Sequence, residues 1–577
     1  MASLRGGFRA LSWANQLLSH QRPSWKCASC KIAPPATARS LRRFATTSED
    51  ASKPYYVTTP IFYVNAAPHV GHLYTMVLAD VLKRWRTLIG DRDAQLLTGT
   101  DEHGMKIQQA ANAAGIDTQA FCDRNCQTFK DLAEAAEVDY NYFIRTTEPA
   151  HKEAVQYFWE MLQHRGYIYT SKHEGWYSVS DETFYPQSQV HLSLDPATGR
   201  KRMVSIETGK EVEWSSETNY HFRLSAFTDR LLKLYQTTDF IQPTQYNELV
   251  VKSVSSGLSD LSISRPVERL TWGIPVPNDN SQTIYVWLDA LVNYLTKAGY
   301  PFPPGEGSRL GWPADVHVVG KDIVRFHCVY WPAFLMALDL PLPRNVLVHG
   351  HWTMNKEKMS KSTGNVVNPF FAIDRFGVDI MRFFLTHRGG LESDSDYDNS
   401  YIIRDYKKHL QTGIGNVVHR TIGCAKGKLR EYIVNATSGN SSASARDQAD
   451  QARDQAYEDT LKNLARNVTS KMVRLDPRAA ISELVRVIAE TNKYFHHSAP
   501  WENPEEKQRV LFNVAESMRI TGILLQPFMP NKAKELLDML QVDLSKRGIS
   551  SAIYAGDPDY GEDVKAKILF PPLIVEE

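Results

Sequence analysis

The sequence predicts an α/β protein in which a parallel sheet carries the chemistry, an inserted subdomain interrupts it, and an all-α helical bundle follows. Three observations carry that prediction. A strand–helix–strand unit opens near residue 55, strand–helix alternation resumes after residue 280, and beyond about Tyr401 only long amphipathic helical patterns remain. At 577 residues the chain has room for about two to four domains. Its 42% hydrophobic and 23% charged residues are ordinary globular usage, which argues against a largely disordered chain. No uncharged apolar run approaches the ~20 residues of a bilayer span, so no membrane segment is expected. Six cysteines without regular spacing exclude a disulfide-stapled secreted scaffold.

The N-terminus stands apart. Residues 1–50 carry eight Lys or Arg against Glu49 and Asp50, so the remainder is net acidic although the whole chain is +1. Leu4, Phe8, Leu11, Trp13, Leu17 and Leu18 interleave with those cations, as in a mitochondrial transit peptide. That segment is expected over 1–48, with the mitochondrial matrix as destination and a mature start between Arg43 and Lys53. The alternative is a disordered tail with no destination. Cys27-Ala-Ser-Cys30 has metal or redox spacing, but it lies inside this segment and reads as chance.

Tyr55–Thr59 reads as a short buried strand, followed by an irregular turn from Pro60 to Pro68. Val77, Val81, Trp85 and Leu88 then recur at helical spacing between His72 and Ile89, and Gly90 stops the helix. The strand Ala94–Thr98 completes a βαβ unit and leads into Gly99-Thr-Asp-Glu-His-Gly104. Cys122 and Cys126, four apart on a helix, read as packing. The catalytic domain is expected over 52–395, with 168–282, rich in Tyr, Trp, Ser and Thr, inserted in it. Thr283–Trp287 reads as a strand, Ala290–Ala298 as a helix, Val316–Val319 as a strand feeding a helix from Asp322, and Val346–Val348 as another strand. Residues 396–577 form the helical domain, in which low-complexity Asn435–Gln455 is an exposed loop with a frayed helix start.

The chemistry starts at His69-Val-Gly-His72, between the first strand and the first helix. A helix start presents backbone N–H groups and a positive dipole end, which favour a phosphate. Gly71 lets a flat ring or a phosphate lie close, and both histidines can donate to phosphoryl oxygens. Alternatively the two histidines cap the helix or bind a metal. Far downstream, Lys358-Met-Ser-Lys-Ser362 places two lysines three apart on a polar loop, able to close over a triphosphate. Taken alone it is also a solvated turn.

In this order the two motifs resemble those of class I aminoacyl-tRNA synthetases. The resemblance narrows to the methionyl-tRNA synthetases, in a mitochondrial form. It rests on Val57-Thr-Thr-Pro-Ile-Phe-Tyr-Val-Asn-Ala-Ala-Pro-His-Val-Gly-His72, Thr98–Gly104, Tyr285-Val-Trp-Leu-Asp-Ala290, Gly320-Lys-Asp-Ile-Val-Arg-Phe-His327 and Trp331-Pro332. It implies a Rossmann-type catalytic domain with a connective insertion, then an anticodon-binding helical bundle. It also implies ligation of methionine to tRNA(Met) through a methionyl-adenylate, with ATP bringing Mg²⁺.

By the same resemblance, His69, His72, Lys358 and Lys361 are catalytic. Asn65, Gly71, Gly320, Lys321, Asp322, Met359 and Ser360 join His72 and the two lysines around ATP. Asp101 holds the substrate ammonium, and Ile61, Tyr63, Trp287, Ala290, Tyr294, Ile323 and His327 line the side-chain pocket. The residue types suit a thioether, a weak acceptor that favours aromatic edges. Ile323, His327 and Trp331, spaced by four, would present one mixed face of a helix. Trp287 and Trp331 have a core reading as well.

Ala499-Pro-Trp501 resembles the anticodon-reading tryptophan of the family, with Asn416 and Arg420 as helical partners. A buried anchor for Trp501 and a plain solvated face for the other two remain open. Trp176–Phe184 lacks the Cys-x-x-Cys knuckles of many relatives, so no structural zinc is expected. A monomer is expected too. The competing readings are a synthetase for another aliphatic amino acid or cysteine, and a catalytically silent RNA-binding descendant. Editing insertions larger than this one mark the aliphatic enzymes, zinc-binding cysteines mark the cysteinyl ones, and loss of His69, His72, Asp101 or Lys361 would mark the silent descendant.

Overall fold

Parallel strands rich in Val and Leu build the centre of the molecule. In the computed structural model these are β1 (Tyr56–Thr58), β2 (Phe62–Tyr63), β3 (Gln95–Asp101), β4 (Tyr142–Arg145), β5 (Ile241–Gln242), β6 (Val316–Gly320) and β7 (Asn345–His349). Residues 53–179, 183–194, 199–303, 311–359, 366–438 and 448–573 are described, so the 1–48 segment with Cys27 and Cys30 lies outside them. The order is β5-β7-β6-β1-β3, with β4 also on β3 and β2 pairing further along β3 at Thr100 and Asp101. Every pairing in this sheet is parallel. β1 and β6 are buried throughout, as a sheet covered on both faces requires. Between β1 and β6 the strand order runs off in opposite directions, and a crevice opens at such a point beyond the carboxyl ends.

One face is covered by α1 (Val70–Leu88), whose Leu73, Val77, Val81 and Trp85 share a core with the C-terminal helices. The other face is covered by α2 (Pro149–His164) and α3 (Val286–Thr296). A buried Arg382 on α4 (Val378–Arg388) ties the two halves together. It donates to Asp80 of α1 at 2.5 Å and to the carbonyls of Pro527 and Phe528 at 2.9 and 3.2 Å. Burying that charge is sustained only because each of its donors is answered.

Three expectations change on seeing the structure. Trp287 stands on α3, not on a strand; the strand ends at Ile284. An apolar run of that length does not distinguish the two by periodicity. Ile323, His327 and Trp331 do not share a regular α-helix. A 3₁₀ turn at Lys321–Ile323 leads into a π-turn at Phe326–Tyr330, with the Trp331 amide bonded to the Phe326 carbonyl. The cause is Pro332: it has no N–H to give the Cys328 carbonyl, which accepts instead from the Tyr235 hydroxyl. Finally, part of Asn435–Gln455 is helical, since one helix runs to Thr437 and the next starts at Gln448.

The 168–282 stretch holds an antiparallel sheet, in which Ile168–Ser178 pairs along Glu213–Phe222, and a two-stranded ribbon of Val190–Leu194 with Lys201–Ser205. It also contains β5, so the chain returns to the main sheet inside this stretch. Cys122 and Cys126 are buried in the helix Thr118–Ala135, as packing residues.

Candidate active site

A cavity of about 380 Å³ lies beyond the carboxyl ends of β1, β3, β6 and β7. Ile61, Tyr63, His69, Gly71, His72, Asp101, Trp287, Ala290, Tyr294, Gly320, Asp322, Ile323, His327 and Met359 all line it. Segments hundreds of residues apart in sequence therefore converge on one site. Asn65 is exposed and outside the lining; Lys321, half-buried, is outside it too, its ammonium 2.7 Å from Asp394. The Lys358 side chain, Ser360 and Lys361 lie outside the described residues; the Lys358 backbone pairs with Thr353.

The two histidines do cap the helix, and the cap is what orients them. His69 is the N-cap of α1, and its Nδ1 accepts from the Gly71 amide at 3.0 Å. His72 Nδ1 accepts from the His69 amide at 3.1 Å, closing a capping box. With both Nδ1 atoms accepting, each neutral ring carries its proton on Nε2. The rings stack at 3.8 Å with their planes 26° apart, giving a pair of neighbouring N–H donors at a helix N-terminus. Gly71 is required: a Cβ there would stand 2.8 Å from the His69 ring. The group that Gly71 lets approach is thus the neighbouring imidazole.

The Tyr294–His327 side of the pocket is polar by geometry yet uncharged. His327 Nδ1 donates to the Ile323 carbonyl at 3.0 Å, so its Nε2, 2.7 Å from the Tyr294 hydroxyl, accepts. Burial pushes the His327 imidazole down to about 4, so it is neutral at neutral pH. Trp287 stacks on Phe326 at 3.5 Å with the planes 7° apart. Trp331 is fully buried and takes the core role; its indole donates to His317 at 3.3 Å. Asp101, at the end of β3, is 8% exposed.

Sequence reasoning missed Tyr74, Thr75, Lys106, His349, His351 and Trp352, which also line the cavity. His349-Gly-His351 begins on the last residue of β7, as His69-Val-Gly-His72 comes soon after β2, and that placement was the available signal. Burial also pushes the His349 imidazole down to about 4, and it pairs with Thr75 at 2.9 Å. His351 lies 3.1 Å from Asp322. A Cβ on Gly350 would meet the Ser393 carbonyl at 2.2 Å, so only glycine lets the chain pass there.

Far along the chain, Trp501 is 44% exposed, just past α6 (Pro477–Ser498). The Arg420 guanidinium lies 4.9 Å over its ring and 4.8 Å over Phe495. Asn416 is exposed one turn earlier on α5 (Asn416–Ala425). Arg420, Phe495 and Trp501 form one patch: aromatic faces with a cation held against them. Among the described residues, no group of three or more His, Cys, Asp or Glu side chains converges as a metal site.

Comparison with known proteins agrees with both regions. Residues 55–422 match the family described as tRNA synthetases class I (M), and residues 445–552 match the anticodon binding domain of methionyl tRNA ligase. A probable mitochondrial methionine–tRNA ligase of Neurospora crassa is 49% identical, covering 96% of this chain and 92% of its own. The mitochondrial methionine–tRNA ligase of Mus musculus is 39% identical over 92% of this chain and 93% of its own. A Mycobacterium tuberculosis methionyl-tRNA synthetase, solved in complex with methionyl-adenylate, superposes with a TM-score of 0.81 at 37% identity. That likeness covers 90% of this chain and all of the other.

Proposed function

The chain belongs to the class I methionyl-tRNA synthetases, and from that membership we propose how its residues divide the reaction. It is a methionine–tRNA ligase of the mitochondrion, acting on methionine, ATP and tRNA. The observation that carries the division of labour is the cavity itself, where the capped histidine pair, Asp101 and the Tyr294–His327 wall face one space.

Asp101 takes the methionine ammonium, and the neutral wall of Ile61, Tyr63, Trp287, Ala290, Tyr294, Ile323 and His327 takes the thioether. ATP lies against Gly71, Gly320, Asp322 and Met359, with Asn65 and Lys321 as outer contacts. Mg²⁺ enters bound to its phosphates. The methionine carboxylate attacks the α-phosphorus in line, the bond to the bridging oxygen breaks, and pyrophosphate leaves. His69 and His72 donate from Nε2 to oxygens whose charge grows in that step, and Lys358, Ser360 and Lys361 close over the phosphates. The terminal ribose hydroxyl of tRNA then attacks the adenylate carbonyl, releasing AMP. No protein nucleophile is needed; positioning and charge stabilisation suffice.

Trp501 stacks an anticodon base, Arg420 supplies a backbone or stacking contact, and Asn416 reads a base edge. The catalytic domain spans 52–395, with 168–282 within it, and the anticodon-binding domain spans 396–577. The enzyme works as a monomer in the matrix, with 1–48 as the transit peptide, a reading supported by the basic, acid-poor composition of that segment.

The test is amino-acid-dependent ATP–pyrophosphate exchange across the twenty amino acids, with protein starting near residue 46. Exchange with methionine alone is expected. Exchange with another amino acid would overturn the pocket assignment, and none from folded protein that binds tRNA would favour a silent RNA-binding role.

A further inference from the structure

On the side of α3 turned away from the cavity lies a buried carboxylate that the chemistry above does not use. Asp289 is 1% exposed and sits between two buried histidines. Its Oδ2 is 2.7 Å from Nδ1 of His103, two residues beyond Asp101. Its Oδ1 is 2.8 Å from Nε2 of His151 on α2. The other nitrogen of His151 is 3.0 Å from the Thr296 hydroxyl, two turns further along α3, so that ring spans the helix like a strut. The His103 loop is clamped from its far side. The Trp272 indole donates to the Glu102 carbonyl at 2.5 Å, and the Gly104 amide donates to the Trp272 carbonyl at 3.1 Å. Burial alone would raise the Asp289 carboxyl, but the two facing imidazoles hold it down to about 2.

The neighbours of Asp289 along α3 give this cluster its meaning. Trp287, Ala290 and Tyr294 face the cavity from the same helix, while His103 belongs to the loop that leaves β3 directly after Asp101. We propose that Asp289 is a positioning residue for methionine: through His103 and His151 it fixes the distance between the ammonium site and the side-chain wall. A ligand that uses both ends is sensitive to that distance. A ligand that uses only the wall is not. The inference rests on the reading of Asp101 as the ammonium site.

The experiment uses the full chain and pyrophosphate-exchange kinetics, with 4-(methylthio)butanoate, which has the thioether and carboxylate but no amine, as a competing ligand. Asp289→Asn keeps the shape but cannot accept from both imidazoles. It is expected to raise KM for methionine about tenfold or more, as loss of a charged buried hydrogen bond does. KM for ATP and the inhibition constant of the desamino analogue should stay within about twofold. His103→Asn cuts the link from the loop side and should give the same split, so it decides the matter if Asp289→Asn does not fold. A parallel rise for methionine, ATP and the analogue, or an unchanged methionine KM, would overturn the proposal. Asp101→Asn separates the underlying reading: if it weakens methionine and the analogue equally, the ammonium assignment fails and the inference falls with it. If Asp101→Asn discriminates between the two while Asp289→Asn and His103→Asn do not, only the positioning role is wrong.

Discussion

The cavity at the carboxyl ends of the strands draws its lining from residues between Pro60 and Met359, whereas the Trp501 patch is made by α5, the end of α6 and the turn after it. In the cavity, His327 and His349 are buried, neutral and hydrogen-bonded; at the patch, an indole stands 44% exposed with a guanidinium over it. The difference follows from what each must bind. Transfer of a phosphoryl group needs donors already aimed at developing charge, in a place shielded from water. A splayed base needs an open aromatic face on which to stack. The first demands many long-range contacts, and the second demands a helix end and a turn.

The comparison predicts that the two regions break separately. The largest effect is expected at the histidine pair: His72→Gln should lower the exchange rate constant by about a hundredfold to a thousandfold, the usual cost of one aligned transition-state donor. Equilibrium tRNA binding by the same variant, followed by filter retention, should stay near the parent value.

Acid should act on the cavity through folding. Burial holds His327, His349 and His387 at about 4, against an ordinary value of 6.5. Between those values the unfolded chain binds more protons than the folded one, so stability is full above about 6.5 and is lost as pH falls towards about 4. Thermal unfolding midpoints measured across that range should fall steadily towards the acid end, and a flat profile would show that these rings are not buried neutral.

Smaller changes sharpen the boundary of each region. Arg420→Ala removes the cation above Trp501 and should lower kcat/KM for tRNA charging about threefold to tenfold, with methionine-dependent exchange unaffected. Asn65→Ala and Lys321→Ala, both outside the cavity lining, should raise KM for ATP only about twofold to threefold in exchange assays.

Much of the cavity was legible in the sequence because its segments carry the family's motifs, and those that end a strand converge, as strand ends in an open parallel sheet do. Asp101, the last residue of β3, and Gly320, the last of β6, lie where that rule puts them. His349 and His351 obey it too, yet no motif drew attention to them. Tyr74 and Thr75 face the cavity only because the capping box sets the rotation of α1, a detail carried by three-dimensional hydrogen bonds. Trp331 was ambiguous because its direction depends on the π-turn before Pro332, which shifts the face that a spacing of four would share. At the patch, the resemblance named Arg420 and Trp501, whereas Phe495, which the fold brings against the Arg420 guanidinium, carried no motif.

The central claim is that adenylation is confined to the cavity and tRNA reading to the patch. It is tested most directly on one variant, Trp501→Ala, assayed side by side for methionine-dependent pyrophosphate exchange and for charging of tRNA(Met). Exchange within about twofold of the parent, with kcat/KM for charging down about tenfold or more, is the predicted result. Equal loss in both assays would contradict the separation and place Trp501 in the framework of the fold.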